Sequence, residues 1–249
     1  KNNIIESLSV PTKKIVILAI FVMGFGGLIA QMLLIRELLI VFSGNEFSIG
    51  LILANWIILE ALGSFFGGKI VDRIKNKKVF FINSTVLFSL SLIAMIYVTR
   101  VLRYILNISI GESIGILPIL FSSFIILLLP SVFHGALFII SCKLYSVFSK
   151  QDATSIGKVY IYETVGTIIA GVIWTYLLIT YIHSFYIAIG LAILNFFICF
   201  LLVLLNWHNI NLQEKTIGLI LFLLLLFGFY FFFSGLVDKL HFISIKKQW

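Results

Sequence analysis

Residues 48–78 read SIGLILANWIILEALGSFFGGKIVDRIKNKK, and the reading of this stretch decides the fold. From Ile49 to Phe66 only Asn55, Glu60 and a few small residues interrupt an apolar run. Wound as a helix, a run of about 20 such residues matches about 30 Å of hydrocarbon. Five positive residues follow within ten positions, Lys69, Arg73, Lys75, Lys77 and Lys78. A basic block at the end of an apolar span marks the cytoplasmic side. A soluble helix is apolar along one stripe only, whereas this one is apolar on every face.

Composition extends the reading to the whole chain. Of 249 residues, 61% are apolar and 11% charged, where a soluble domain is about a quarter charged. The chain is therefore expected to be an all-α polytopic membrane helix bundle whose first partner is the lipid bilayer. The net charge of +8 gathers at the ends of apolar blocks. That is a topology signal rather than the continuous basic stripe that nucleic acid requires. The chain opens at Lys1, as an excised piece would, and its first apolar block is too long for a cleavable signal peptide.

About seven spans are expected, near Ile15–Phe42, Ile49–Phe66, Val79–Thr99, Ile114–Cys142, Ile156–Ile182, Ser184–Trp207 and Ile217–Val237. The first holds Gly24, Gly26, Gly27 and Ala30, a face on which other helices can pack closely. Gly63 and Gly67 do the same for the second. The third looks featureless. The fourth, interrupted by Pro118, Pro130 and Gly135, is either one kinked helix or two segments meeting near Pro130, as in transporter binding sites. The seventh, nearly pure leucine and phenylalanine, reads as a lipid-facing helix. Residues 1–237 form the membrane domain, and 238–249 a junction whose LHFISI alternates loosely, as a first strand would. With the N-terminus inside, 12 of the 18 Lys and Arg fall inside, although Lys239, Lys246 and Lys247 fall outside.

Polar residues within spans are the candidates for function, because each must be paired, neutral or turned toward a cavity. Glu60 leads, as ligand contact or interhelical link. Asn55, five residues earlier, lies about 140° around the helix from it. Tyr160, Glu163, Thr164 and Thr167 share a face by i, i+3, i+4 spacing, which reads as a polar cavity wall or as an interfacial pair of Glu163 with Lys158. His134, beside Pro130 and Gly135, is a proton or ligand handle or a satisfied core histidine. Gln31, Arg36 and Glu37 line the outer half of a cavity, or Arg36 snorkels. Asp72 and Arg73 form a loop latch to the bundle. Cys142 and Cys199 read as buried hydrophobes. The four histidines are scattered, so no catalytic, cofactor-binding or metal residue is expected in this chain.

GGKIVDRIKNKK resembles the loop between helices two and three of major facilitator transporters, matched at Gly68, Asp72, Arg73, Lys75 and Lys77. That likeness implies half of such a transporter plus one helix. A resemblance covering nearly the whole chain is carried by GFGGLIAQMLLIRELLIVFSGNEFSIGLILANWIILEALGSFFGGKIVDR, LPSVFHGALF, IGKVYIYETVGTIIAG and the closing Gln248-Trp249. These are similar to the membrane region of multispan spermidine synthase-like proteins, in the polyamine aminopropyltransferase family. The resemblance implies a membrane domain that anchors a soluble transferase domain lying beyond Trp249, with a polyamine as ligand. Residence in a prokaryotic plasma membrane is expected. No glycine-rich nucleotide loop occurs here, so any transfer chemistry would belong to that further domain. Glu37, Glu60 and Glu163 would suit a polycation if they face one cavity. The alternative is a stand-alone half-transporter for a small cationic or amphipathic solute, working as a homodimer.

Overall fold

A computed structural model describes residues 10–44, 46–107, 114–148, 152–205 and 211–248. The described residues are helical almost throughout. In chain order, α1 is Val10–Phe42, α2 Glu46–Val71, α3 Lys77–Ile105 and α4 Ile116–Tyr145. Helix α5 is Asp152–Ile173, continued through a π-helical turn, Trp174–Leu178, to Tyr181. Then come α6, Ser184–Leu204, α7, Leu212–Phe233, and α8, Leu236–Gln248. Seven of these rods are long and apolar enough to span a bilayer. The protein is an integral membrane helix bundle, as its composition requires.

The helices end where the sequence withdraws apolar residues. Ser43, at φ 49°, and Gly44 reverse the chain after α1. Asn76 caps α3, its side chain accepting the Val79 N–H at 3.2 Å. Gly235, at φ 75°, makes the corner between α7 and α8, a conformation glycine adopts without steric cost.

Helix α1 runs through the middle because its glycines are spent on different neighbours. A Cβ on Gly24 would collide with the Glu163 carbonyl of α5, one on Gly26 would crowd Leu191 of α6, and one on Gly27 would strike the His134 ring of α4. Helices α2 and α4 pack along each other in the same manner. Gly63 abuts the Val132 carbonyl, Gly67 abuts Ala136, and Gly135 abuts the Glu60 carbonyl. Such backbone approach replaces the hydrophobic driving force that lipid cannot supply. The core is apolar, with Ile29, Leu33, Leu34, Leu38, Leu59 and Leu92 fully enclosed.

Three expectations are resolved or corrected. The fourth span is one helix with Pro130 inside it, so seven spans separate α8 from the N-terminus. The third span is not featureless: α3 is among the more buried helices, and its Thr85 and Ser89 hydroxyls bond carbonyls one turn back. The tail is helical rather than strand-like. Val237, His241 and Ser244, spaced for one helix face, turn inward together, a pattern a strand's alternation would break. The seventh span, α7, is among the least buried, as expected.

Candidate functional site

The glycine contacts bring three polar side chains toward one point halfway through the bundle. With no Cβ at Gly135, α4 slides against α2 until Glu60 reaches His134, Oε1 to Nδ1 at 2.5 Å. Trp56, one turn earlier on α2, donates from Nε1 to the other Glu60 oxygen at 3.2 Å. The His134 ring is enclosed by Trp56, Phe88 and the glycine face of α1. Its Nε2 is buried against Gly27, on the face of α1 that also carries Met23. Glu163 lies beside Gly24, one turn along α1 from Gly27, and so approaches His134 from the α5 side. The Thr167 hydroxyl lies between the Glu163 carbonyl of its own helix, at 3.1 Å, and the Gly24 carbonyl of α1, at 3.3 Å. The arrangement is an imidazole between two acids, with 7% of the His134 side chain and 32% of the Glu60 side chain exposed. It can hold a proton on the ring and can offer a carboxylate to a second cation.

The other candidates are dispersed. Asn55 faces α4 as Glu60 does, but higher up, donating to the Leu120 carbonyl at 2.9 Å and to Ser123 Oγ at 2.8 Å. Tyr160 is 61% exposed on the outer surface. Tyr162 is the tyrosine that turns inward, against Tyr145. Gln31 sits half-buried one turn past Gly27, and Arg36 keeps Nη1 buried without a partner.

Glu37 is not in a cavity with Glu60 and Glu163. It lies at the far end of α1, where Arg100 of α3 grips it with two parallel hydrogen bonds, Nε–Oε2 at 2.7 Å and Nη2–Oε1 at 2.8 Å. The Ser184 hydroxyl of α6 donates to the same carboxylate. Arg100 Nη1 continues to Ser244 Oγ and His241 Nδ1 of α8, each at 2.9 Å. Beside them His183 stacks on His241 at 4.1 Å, and His183 and Tyr186 both reach Asp238, at 3.2 and 3.0 Å. The bonds from His183 and Tyr186 hold the Asp238 carboxyl below its ordinary range. Burial, with the nearby charges of His183 and Arg100, pushes His241 down to about 4. Sequence reasoning gave Arg100 no role. The available signal was that Arg100 closes the third apolar run at the depth where Glu37 closes the first.

At the opposite, basic end Asp72 pairs with Lys143 of α4 at 2.9 Å, both side chains largely in the open. A tighter clasp lies next to it. Lys78 and Asn76 both donate to Glu214 of α7, at 2.6 and 2.7 Å. Among the described residues no three His, Cys, Asp or Glu side chains converge as a metal set.

No known protein family, curated protein or solved structure matches this chain. What fold and geometry define is a polytopic membrane helical domain, consistent with a transporting or an anchoring role.

Proposed function

We propose that this chain is the membrane domain of a protein similar to the multispan spermidine synthase-like proteins. In this reading it anchors an aminopropyltransferase domain and binds or moves an amine at Glu60, His134 and Glu163. The supporting observation is that three segments carrying the resemblance meet at this site: Gly24 and Gly27 from the first, His134 and Gly135 from the second, and Glu163 and Gly166 from the third. An ionised acid in hydrocarbon is costly, and a protonated amine beside Glu60 offsets that cost while its methylenes lie against apolar side chains.

The test is uptake of labelled putrescine and spermidine into proteoliposomes. The wild type is expected to accumulate label, and Glu60→Gln to accumulate at least about tenfold less, since a hydrogen bond to a charged group contributes about 1.5–3 kcal/mol, more than the 1.4 kcal/mol that a factor of ten represents. No uptake by either would end the transport component. Anchoring is tested separately, by whether the sequence after Trp249 encodes a glycine-rich loop after a strand.

A second reading, a half-transporter, is favoured by a different observation. Helix α2 lies along α4 as α5 lies along α1, so α1–α3 and α4–α6 pack as two exchanged three-helix units, an arrangement built into many transporters. A stop codon after Trp249, with uptake retained, would favour it.

A further inference from the structure

Helix α8 has two unlike faces. One holds Val237, His241 and Ser244 against the bundle, fastened by Arg100 and by the contacts of Asp238. The other carries Lys239, Phe242, Ile243, Lys246 and Lys247, at i, i+3, i+4, i+7 and i+8, all exposed. Phe242 is 63% exposed. An apolar pair flanked by lysines on one side of a short helix is the pattern of a helix lying in a bilayer interface.

Position supports the same conclusion. Gly235 turns the chain off the end of α7, and α8 then reaches α6 at His183 and Tyr186 and α3 at Arg100 and Tyr97. Tyr104 and Tyr181, strongly exposed at the ends of α3 and α5, lie at this same end, where interfacial tyrosines gather. The exposed face of α8 therefore continues the lipid-facing surface. Its lysines also run against the charge bias of the rest of the chain, so a topology signal does not account for them.

The geometry points to α8 as an interfacial helix that binds anionic phospholipid, with Phe242 and Ile243 among the acyl chains and Lys239 and Lys246 on the phosphates. Lys247 is partly engaged, donating to Tyr97 Oη at 3.1 Å. Each lysine near an anionic surface contributes about a fivefold preference. The inference stands apart from the proposed function, since it uses none of the residues of the intramembrane site.

The full chain in detergent is titrated with phosphatidylglycerol or with phosphatidylcholine of the same acyl chains, and bound lipid is counted by native mass spectrometry. A preference of about tenfold or more for phosphatidylglycerol is expected, lost in Lys239→Gln/Lys246→Gln. Equal binding of the two lipids, or a preference unchanged in that variant, would overturn the inference. A second measurement covers the apolar half. A nitroxide on Phe242→Cys, with Cys142 and Cys199 buried, should be relaxed by oxygen rather than by a water-soluble nickel chelate in phosphatidylglycerol-containing nanodiscs. Preferential relaxation by nickel would mean a water-facing surface, as for a soluble partner, and would equally overturn it.

Discussion

Two of the acid–base pairs that join helices in this bundle, Glu37–Arg100 and Glu60–His134, are built to opposite specifications. Glu37 and Arg100 share two parallel hydrogen bonds, and their remaining valences go to Ser184, Ser244 and His241, with side-chain exposures of 2% and 5%. Glu60 and His134 share one contact, Trp56 supplies a second to the acid, and 32% of the Glu60 side chain is exposed. A saturated pair has nothing left to offer a ligand and serves to join α1, α3, α6 and α8. A pair whose carboxylate is a third exposed keeps capacity in reserve. The comparison teaches that an intramembrane charge is read by the valences its neighbours leave unfilled rather than by its presence.

The contrast breaks most directly at Glu37. Glu37→Ala leaves Arg100 buried and uncompensated, a loss of about 3–5 kcal/mol, to be read as a large drop in thermal midpoint in detergent. Glu60→Gln should cost no more than about 1 kcal/mol, because its position is open and Trp56 still has an acceptor. Equal losses in the two variants would erase the distinction. Next in size is Gly135→Val, which drives α2 from α4 at the Glu60 carbonyl and should cost about 1–3 kcal/mol. It should also reduce uptake by separating His134 from Glu60, so a variant of normal stability and activity would show that the close approach is dispensable. Asn55→Leu is expected to be milder, about 1 kcal/mol or less, since Ser123 keeps its bond to the Ile119 carbonyl. A greater loss than that of Gly135→Val would move the weight of the α2–α4 interface away from its glycines.

The smallest effect is a pH dependence confined to α8. His241 titrates near 4 when docked and from an ordinary value of 6.5 when released. The released helix therefore binds more protons between those values, and docking weakens as pH falls through that window. Asp238, whose carboxyl is held below 3.8, shifts docking in the same direction only at lower pH still. Amide exchange over residues 236–248, corrected for its intrinsic rate, should be faster at pH 4.5 than at pH 7 relative to the transmembrane helices. His241→Asn should flatten the response, and a response that survives this change would place its origin elsewhere.

Much was legible from residue order, and the reasons are local. The apolar lengths of Ile49–Phe66 and its counterparts indicate a membrane helix bundle of about seven spans, because hydrocarbon thickness and helical rise set how long each span must be, with the fourth run open to division at Pro130. Gly24, Gly27, Gly63 and Gly67 announced close packing, and Glu60, His134 and Glu163 stood out because charge in lipid is costly. Only the tertiary structure decided which helix each glycine admits, that Pro130 sits inside a continuous α4, and that Glu37 belongs to Arg100 rather than to the company of Glu60. It also decided that Tyr162 turns inward where Tyr160 turns out, and that α8 is a helix at all. Solvation acts on each residue separately and can be read along the chain. Pairing depends on which distant turns face one another, a property of the assembled bundle.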